Sequence, residues 1–171
     1  MNRIQTRIRD IPDFPKPGIL FKDITPVLSD PLALKEAVTL LSAPFVGAQI
    51  TAVAGMEARG FIFGALVAQA LEVGFVPLRK PGKLPYTVHT VSYDLEYGSA
   101  TLEVHSDALT SGDRVLLVDD LLATGGTAKA SCQLIEALGA EVAALAFMVE
   151  LKELGGRERL APHPVHSLLE Y

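Results

Sequence analysis

Residues 115–127 constrain the fold more than any other stretch, because a hydrophobic run there leads into two acids and a glycine-containing turn. The stretch reads Val-Leu-Leu-Val-Asp-Asp-Leu-Leu-Ala-Thr-Gly-Gly-Thr. Its apolar start predicts a strand over 114–119 that is buried on both faces, as in a parallel sheet. Helical spacing over 127–138, with Gly139 just past the last turn, predicts a helix after the turn. A strand that enters a helix through a tight turn is typical of an α/β fold.

Other segments extend this alternation of strands and helices. A short strand over 50–54, a mostly apolar helix over 61–72 and a strand over 75–78 follow one another within about thirty residues, the spacing of a βαβ unit with parallel strands. Two more strands are predicted over 142–149 and 165–169. The expected fold class is therefore α/β, with a central, mostly parallel sheet flanked by helices.

Two regions depart from the alternation. Four prolines between 12 and 26 forbid a long helix, so this segment is predicted to be irregular but ordered. Asp30 as N-cap and Pro31 as the first helical residue then predict the start of a helix. Alternating β-forming residues over 84–104, interrupted by Gly98, predict a hairpin or an antiparallel flap.

Composition excludes several other classes of protein. The length suits one domain, 1–171, and a composition with 49% hydrophobic and 20% charged residues rules out intrinsic disorder. Fifteen basic against twenty acidic residues leave a net charge of −5, which argues against nucleic-acid binding. The single cysteine excludes a disulfide scaffold and a cysteine-rich zinc site. No apolar run reaches the ~18 residues of a membrane span, and the first residues lack a signal-peptide core, so a cytoplasmic protein is expected.

The turn over 123–127 has the composition of a phosphate site. Its backbone amides, from Ala123 onward, would face an anion at the helix start, helped by the hydroxyls of Thr124 and Thr127. Gly125 and Gly126 would let the backbone approach the phosphate and adopt positive φ. The sequence fits neither a Walker A loop nor the dinucleotide-binding glycine fingerprint. The plain alternative is an ordinary connection between a strand and a helix.

Asp119 and Asp120 come just before this turn, where two carboxylates would repel a phosphate. They make chemical sense if they face sugar hydroxyls, a Mg²⁺ ion or its waters, or positive charge that develops on a sugar ring. A phosphate site, a ribose site and two carboxylates together describe a ribose 5-phosphate substrate. The alternative is that both acids face solvent.

At this point the chain resembles a known family. Residues 118–127 resemble the motif with which type I phosphoribosyltransferases bind 5-phosphoribosyl 1-diphosphate (PRPP). Three further segments are similar, in order, to the members of that family that use adenine: 13–24, 57–61, and 79–85 together with 93–98. The resemblance covers nearly the whole chain, and it implies the type I phosphoribosyltransferase fold.

The resemblance also implies a reaction of purine salvage, in which adenine and PRPP give AMP and pyrophosphate through an oxocarbenium-like transition state. Asp119 and Asp120 would bind the ribose 2′- and 3′-hydroxyls and favour the cation, while residues 123–127 would hold the 5′-phosphate. The turn 55–59 would take pyrophosphate through backbone amides and through Arg59, whose planar fork pairs with phosphate oxygens. The implied cofactor is Mg²⁺, held mainly by substrate and water without a direct protein ligand. A homodimer is implied as well.

For the base, the resemblance implies a small N-terminal hood over about 12–26. Phe21 would stack on adenine, and backbone groups of Leu20 and Lys22 would contact its Watson–Crick edge. Glu96 would contact the imidazole edge near N7 and assist proton transfer, which makes it a catalytic residue beside Arg59 and the two aspartates. Without the resemblance, spacing alone favours core packing for Phe21 and a solvated hairpin position for Glu96.

A flexible flap over about 80–105 is implied as a lid. It carries Lys80 and Lys83 among the PRPP-binding residues, and Lys83 would reach the leaving pyrophosphate when the lid closes and excludes water. Taken alone, both lysines predict a solvated loop, and Arg59 predicts a surface charge.

Two other functions stay open at the level of sequence. One is a PRPP- or nucleotide-sensing regulator on the same fold, which would bind without turnover and need a nucleic-acid-binding surface; the negative net charge argues against it. The other is transfer to a different base, such as a 6-oxopurine, because base choice depends on hydrogen bonds that a sequence does not display. The hood and residues 95–97 favour adenine. The expected partners are adenine, PRPP and a second copy of the chain, without nucleic acid or membrane.

Overall fold

The molecule is built around a five-stranded parallel sheet. The structure is a computed structural model that describes residues 3–94 and 99–171. Its strands and longer helices are, in chain order, β1 (Arg9–Pro12), β2 (Leu20–Asp23), α1 (Thr25–Ser29), α2 (Pro31–Ser42), β3 (Ala52–Met56), α3 (Gly60–Ala70), β4 (Gly74–Leu78), β5 (Val88–Asp94), β6 (Ser99–His105), β7 (Arg114–Leu122), α4 (Gly126–Ala137), β8 (Glu141–Glu150), α5 (Gly156–Arg159) and β9 (Val165–Glu170).

The strands of the central sheet lie in the order β4-β3-β7-β8-β9, and each neighbouring pair is parallel. Parallel neighbours need crossover connections, which α3 supplies between β3 and β4 and α4 supplies between β7 and β8. The predicted α/β class with a parallel sheet is confirmed. The sheet order also places the carboxyl ends of β3 and β7 side by side.

Both faces of the sheet are covered, which explains the continuous apolar runs in its strands. On one face Leu117 belongs to a buried cluster with Leu134 of α4 and Leu102 of β6. On the other face Val118 belongs to a cluster with Phe63 of α3. Strand β7 therefore contributes neighbouring residues to two separate cores, as the two-residue period of a strand requires.

Helix α2 begins where the sequence predicts it. The Asp30 carboxylate accepts hydrogen bonds from the backbone N–H groups of Leu32 (3.0 Å) and Ala33 (3.2 Å), and Pro31 is the first helical residue. The bond from Ala33 contributes most to lowering the pKa of Asp30. The side chain thus satisfies two of the N–H groups that a helix start leaves unpaired.

The N-terminal segment is more regular than predicted. β1 and β2 pair antiparallel, with Pro12 opposite Leu20 at the end of the pair, and Pro26 lies in the first turn of α1. A strand end and a first helical turn tolerate proline, because neither position needs its missing N–H. The prediction of an irregular segment over 12–26 was therefore wrong at both of its ends.

Strand β7 is longer than predicted. It extends beyond residue 119 to Leu122, because β8 continues beside it and pairs Leu122 with Glu150. Asp119 and Asp120 therefore lie on the strand itself, near its carboxyl end. The strand predicted over 50–54 is likewise shifted, to 52–56.

The segment between β4 and β7 forms the second antiparallel pair. β5 and β6 pair from Val88 opposite His105 to Asp94 opposite Ser99, which confirms the predicted antiparallel pairing. Val104 is fully buried, and Val91 and Tyr93 pack against the same core cluster. The pair therefore covers one face of the sheet beside α4.

Candidate active site

A cavity of about 230 Å³ opens at the carboxyl end of β7, where α4 begins. In an open α/β sheet this is the edge at which ligands bind. The cavity is lined by Arg59, Asp119, Asp120, Leu121, Leu122, Ala123, Thr124, Gly125, Gly126, Thr127, Ala128 and Phe147. The structure thus brings together both predicted aspartates, the predicted phosphate turn and the predicted arginine.

The two aspartates have different surroundings. The Asp119 carboxylate accepts the backbone N–H of Asp120 at 2.8 Å, and burial, together with the nearby Asp120 carboxylate, raises the pKa of Asp119 well above its ordinary value. Asp120 is 5% exposed and pairs with Arg59, whose Nε lies 2.7 Å from a carboxylate oxygen. Arg59 compensates these two neighbouring acids only in part, so the pair favours further positive charge beside it.

Gly60, which the sequence reasoning missed, allows α3 to start close to the acids. A Cβ atom at this position would lie 2.8 Å from Oδ1 of Asp119 and 2.9 Å from the carbonyl oxygen of Val118. No side chain fits there without displacing the carboxylate. A glycine at the start of the helix that follows a predicted strand of the sheet is the feature that could have identified it.

Arg59 connects the sheet to the N-terminal segment. It lies at the end of the turn after β3, where it pairs with Asp120, and its guanidinium carbon lies 5.5 Å from the centre of the Phe21 ring. The family resemblance implies that Arg59 contacts pyrophosphate, whereas in this structure its partners are a carboxylate and an aromatic ring. Phe21, Arg59 and Asp120 thus form one continuous row of contacts.

The turn over 123–127, the predicted phosphate turn, has the geometry that an anion site needs. Gly125 is the N-cap of α4 with a φ of +77°, and Gly126 and Thr127 are the first helical residues. Positive φ, expected at both glycines, occurs only at Gly125, because Gly126 already belongs to the helix. The first N–H groups of a helix of this length lack intrahelical partners and point out of its end, where an anion can accept them.

Tyr93 reaches this turn from β5. Its hydroxyl lies 3.1 Å from the hydroxyl oxygen of Thr127, within hydrogen-bond distance. The sequence places Tyr93 among the β-forming residues of the flap and at the start of the family-like segment 93–98, without predicting this contact. Alternation along β5 places Val91 and Tyr93 on the buried face, and this pattern predicts burial but not the contact with Thr127.

The turn between β3 and α3 is held by an ion pair that the sequence reasoning also missed. Glu57 accepts hydrogen bonds from the Arg79 guanidinium (3.2 and 3.3 Å) and from the backbone N–H of Lys80 (2.9 Å), and the Lys80 bond contributes most to lowering the pKa of Glu57. Arg79 also donates to the carbonyl oxygen of Lys83 at 3.1 Å. The backbone of both predicted lysines is therefore attached to the β3 turn, while their side chains are exposed.

The predicted base platform lies outside the hydrophobic core. Phe21 is half-buried and belongs to neither core cluster; Phe14 meets its ring edge-on, with centroids 5.2 Å apart. Leu20 is exposed, and the Lys22 amine lies 2.7 Å from Asp10. Core packing, the alternative for Phe21, is thus not its environment here. Glu96 lies outside the described residues.

Within residues 3–94 and 99–171, none of the helices combines the length and the apolarity that crossing a bilayer would require. In the same ranges, no three or more histidine, cysteine, aspartate or glutamate side chains are grouped closely enough to hold a metal ion by themselves.

The chain is similar to known proteins in both sequence and structure. The chain matches the phosphoribosyl transferase domain model over residues 32–163. It is 71% identical to the adenine phosphoribosyltransferase of Methylococcus capsulatus, with 100% of each chain covered. It superposes on the adenine phosphoribosyltransferase of Thermoanaerobacter pseudethanolicus with a TM-score of 0.95, at 50% identity and 98% coverage of both chains. The Saccharomyces cerevisiae enzyme, solved with an imino-altritol bisphosphate and adenine, gives a TM-score of 0.93 at 39% identity, covering 97% of this chain and 96% of that one. The chain therefore belongs to the phosphoribosyltransferase family and, within it, to the adenine phosphoribosyltransferases, which form AMP from adenine and PRPP.

Proposed function

We propose that this chain transfers the phosphoribosyl group through a cation-like transition state that its own carboxylates stabilise. The bond from C1′ to pyrophosphate breaks before the bond to the adenine nitrogen is complete, so positive charge grows on the ribose ring. The observation that carries the proposal is the cavity itself, in which the Asp119 and Asp120 carboxylates adjoin the amide-rich turn 123–127. One part of the cavity suits the 5′-phosphate and the other suits ribose hydroxyls and developing positive charge.

Arg59 is proposed to exchange partners during the reaction. Its pairing with Asp120 occupies a carboxylate that the ribose would need, and its guanidinium lies over Phe21, which the base would need. The Arg59 side chain is 44% exposed, so it can turn toward incoming pyrophosphate without creating an empty space in the interior. Binding of PRPP would then free both Asp120 and Phe21 before adenine arrives.

The donor groups of the cavity fit Mg²⁺. Mg²⁺ keeps several waters and binds through substrate phosphates and one or two carboxylates, so it needs no cage of protein ligands. Asp119 and Asp120 line the cavity and would hold the ion's waters, which agrees with a pair of acids only partly compensated by Arg59. The bound ion supplies positive charge that neutralises the leaving pyrophosphate.

The base is proposed to stack on Phe21. Support comes from the half-buried position of its ring at the end of the row that leads through Arg59 to Asp120, and from the adenine named in the yeast complex. The backbone of Leu20 and Lys22, next to it on β2, would contact the base edge. Glu96, the lid role of Lys80 and Lys83, and the homodimer stay predictions.

Replacing Phe21 by alanine should raise the KM for adenine by about ten- to hundredfold, because a stacked aromatic contributes about 1–3 kcal/mol to nucleobase binding. Phe21→Leu keeps apolar bulk but lacks the ring, so it should show most of the same loss. Steady-state kinetics with each substrate varied in turn would measure both constants, and the KM for PRPP should change little. A large fall in Tm with an unchanged adenine KM would instead make Phe21 a packing residue.

The proposed reaction is tested by following AMP formation while PRPP, Mg²⁺ and the base are varied. Turnover should require Mg²⁺, and neither hypoxanthine nor guanine should compete with adenine. Turnover of either 6-oxopurine would assign a different base specificity. Tight PRPP binding without turnover of any base would indicate a sensing protein, and full activity in excess chelator would contradict the role of Mg²⁺.

A further inference from the structure

A short segment after β8 lies directly against the phosphate turn. A Cβ atom built on Gly156, the first residue of α5, would lie 2.2 Å from the carbonyl oxygen of Ala123 and 2.9 Å from a methyl carbon of Leu122. The contact is reciprocal, because a Cβ on Gly125 would lie 2.8 Å from the carbonyl oxygen of Gly156. The two backbones therefore touch without any side chain between them.

Gly156 is buried, and its neighbour Arg157 fixes it to the ends of two strands. Arg157 donates from Nε to Oε1 of Glu150 at 2.9 Å and from Nη1 to the carbonyl oxygen of Val165 at 2.8 Å. A second bond joins its Nη2 to the other oxygen of Glu150, which also accepts the Ser167 hydroxyl at 2.7 Å.

The Arg157–Glu150 pair, called the anchor below, holds this segment in a fixed position. Glu150 is 3% exposed, and its bonds to Arg157 lower the pKa of the carboxyl, so it stays ionised beside its partner. A bidentate pair between a guanidinium and a buried carboxylate has fixed geometry as well as charge. Because Glu150 pairs in register with Leu122, the anchor lies at the same level of the sheet as the phosphate turn.

We propose that Gly156 is a positioning residue for PRPP binding: held by the Arg157–Glu150 pair, its backbone sets the place of the Ala123 carbonyl and of the amides that follow. It touches no substrate atom and acts only through the turn 123–127. The inference rests on the proposed role of that turn as the 5′-phosphate site. The proposed site therefore depends on Gly156 and on the Arg157–Glu150 pair, which follow the turn in the sequence and support it from behind without binding the substrate.

The first test compares Gly156→Ala with Gly112→Ala. A Cβ on Gly112 would meet nothing within 4 Å, so that variant controls for the loss of a glycine. Gly156→Ala should raise the KM for PRPP and the dissociation constant of ribose 5-phosphate by about tenfold or more, since small misplacements of binding groups are costly. The KM for adenine should stay at its wild-type value, because the base contacts lie on another element. A loss of packing alone would lower Tm without separating the two substrates.

The second variant protects the test against misfolding of Gly156→Ala. Arg157→Leu combined with Glu150→Gln removes the anchor without leaving a lone buried charge. This double variant should weaken the binding of ribose 5-phosphate by about three- to tenfold, in the range expected for residues that act through others. Thr124→Glu, within the turn, places a carboxylate in the cavity where the phosphate would lie, so it reports whether the turn binds the phosphate at all.

These variants distinguish the positioning role of Gly156 from the phosphate site in the turn 123–127. If Thr124→Glu weakens the binding of ribose 5-phosphate while the anchor variant and a folded Gly156→Ala bind it as wild type does, the positioning role is wrong and the phosphate site stands. If Thr124→Glu also leaves binding unchanged, the phosphate assignment fails and the positioning role fails with it.

Discussion

We expect Asp119→Asn and Asp120→Asn each to lower kcat by about 100- to 1,000-fold, the cost of removing one charge-stabilising group from an active site. The effect should fall on kcat more than on the KM for PRPP, because the carboxylates act mainly on charge that exists only in the transition state. Asp107→Asn, at an exposed position, is the matched control and should leave the rate intact. Rates equal to wild type in both active-site variants would refute the proposed stabilisation of the cation.

The same substitution at Asp119 should stabilise the folded chain at neutral pH, measured as Tm without divalent metal. Its folded pKa is raised, so the neutral carboxyl favours folding below the ordinary pKa of an aspartate, and this contribution is lost as the pH rises through the folded value. Asparagine mimics the neutral form, and its oxygen can still accept the N–H of Asp120. The gain in Tm should therefore shrink toward acid pH. Asp120→Asn loses the pair with Arg59 and should show no such gain.

Local features of this fold could be predicted, because their causes lie within a few residues. The helix start at Asp30 depends on one side chain and on the N–H groups of Leu32 and Ala33, and Gly139 follows the C-cap of α4 with a φ of +83°, as predicted. Family resemblance supplied the substrates and the roles of the cavity residues. Both kinds of inference use residues that are adjacent in the sequence.

Contacts between distant segments could not be predicted in the same way. β7 continues to Leu122 only because β8 lies beside it, and Arg59 meets Asp120 only because β3 and β7 are neighbours in the sheet. The hydrogen bond of Tyr93 to Thr127 likewise needs the β5–β6 pair to lie against α4. Each of these contacts depends on which elements are neighbours in the fold. The hydrophobic periodicity within a single strand carries no information about the order of the strands.

Gly125 is constrained both by its own positive φ and by its contact with the distant residue Gly156, so we expect its substitution to have a large effect. Gly125→Val should abolish PRPP binding. We expect calorimetry to show a loss of affinity of about 100-fold or more, because a misplaced turn loses several contacts with the ligand at once. At a φ of +77° a β-branched residue is strongly disfavoured, and its Cβ would also lie 2.8 Å from the carbonyl oxygen of Gly156.

Gly47→Val separates these two causes from simple loss of stability. Gly47 has nearly the same φ, +78°, but a Cβ there meets nothing within 4 Å, so its valine variant has the same backbone strain in the connection between α2 and β3, away from the cavity. It should lose stability and keep its affinity for PRPP. If both variants lost PRPP affinity equally, the effect would belong to global destabilisation; if Gly125→Val bound PRPP normally, the turn over 123–127 would not be where the phosphate binds.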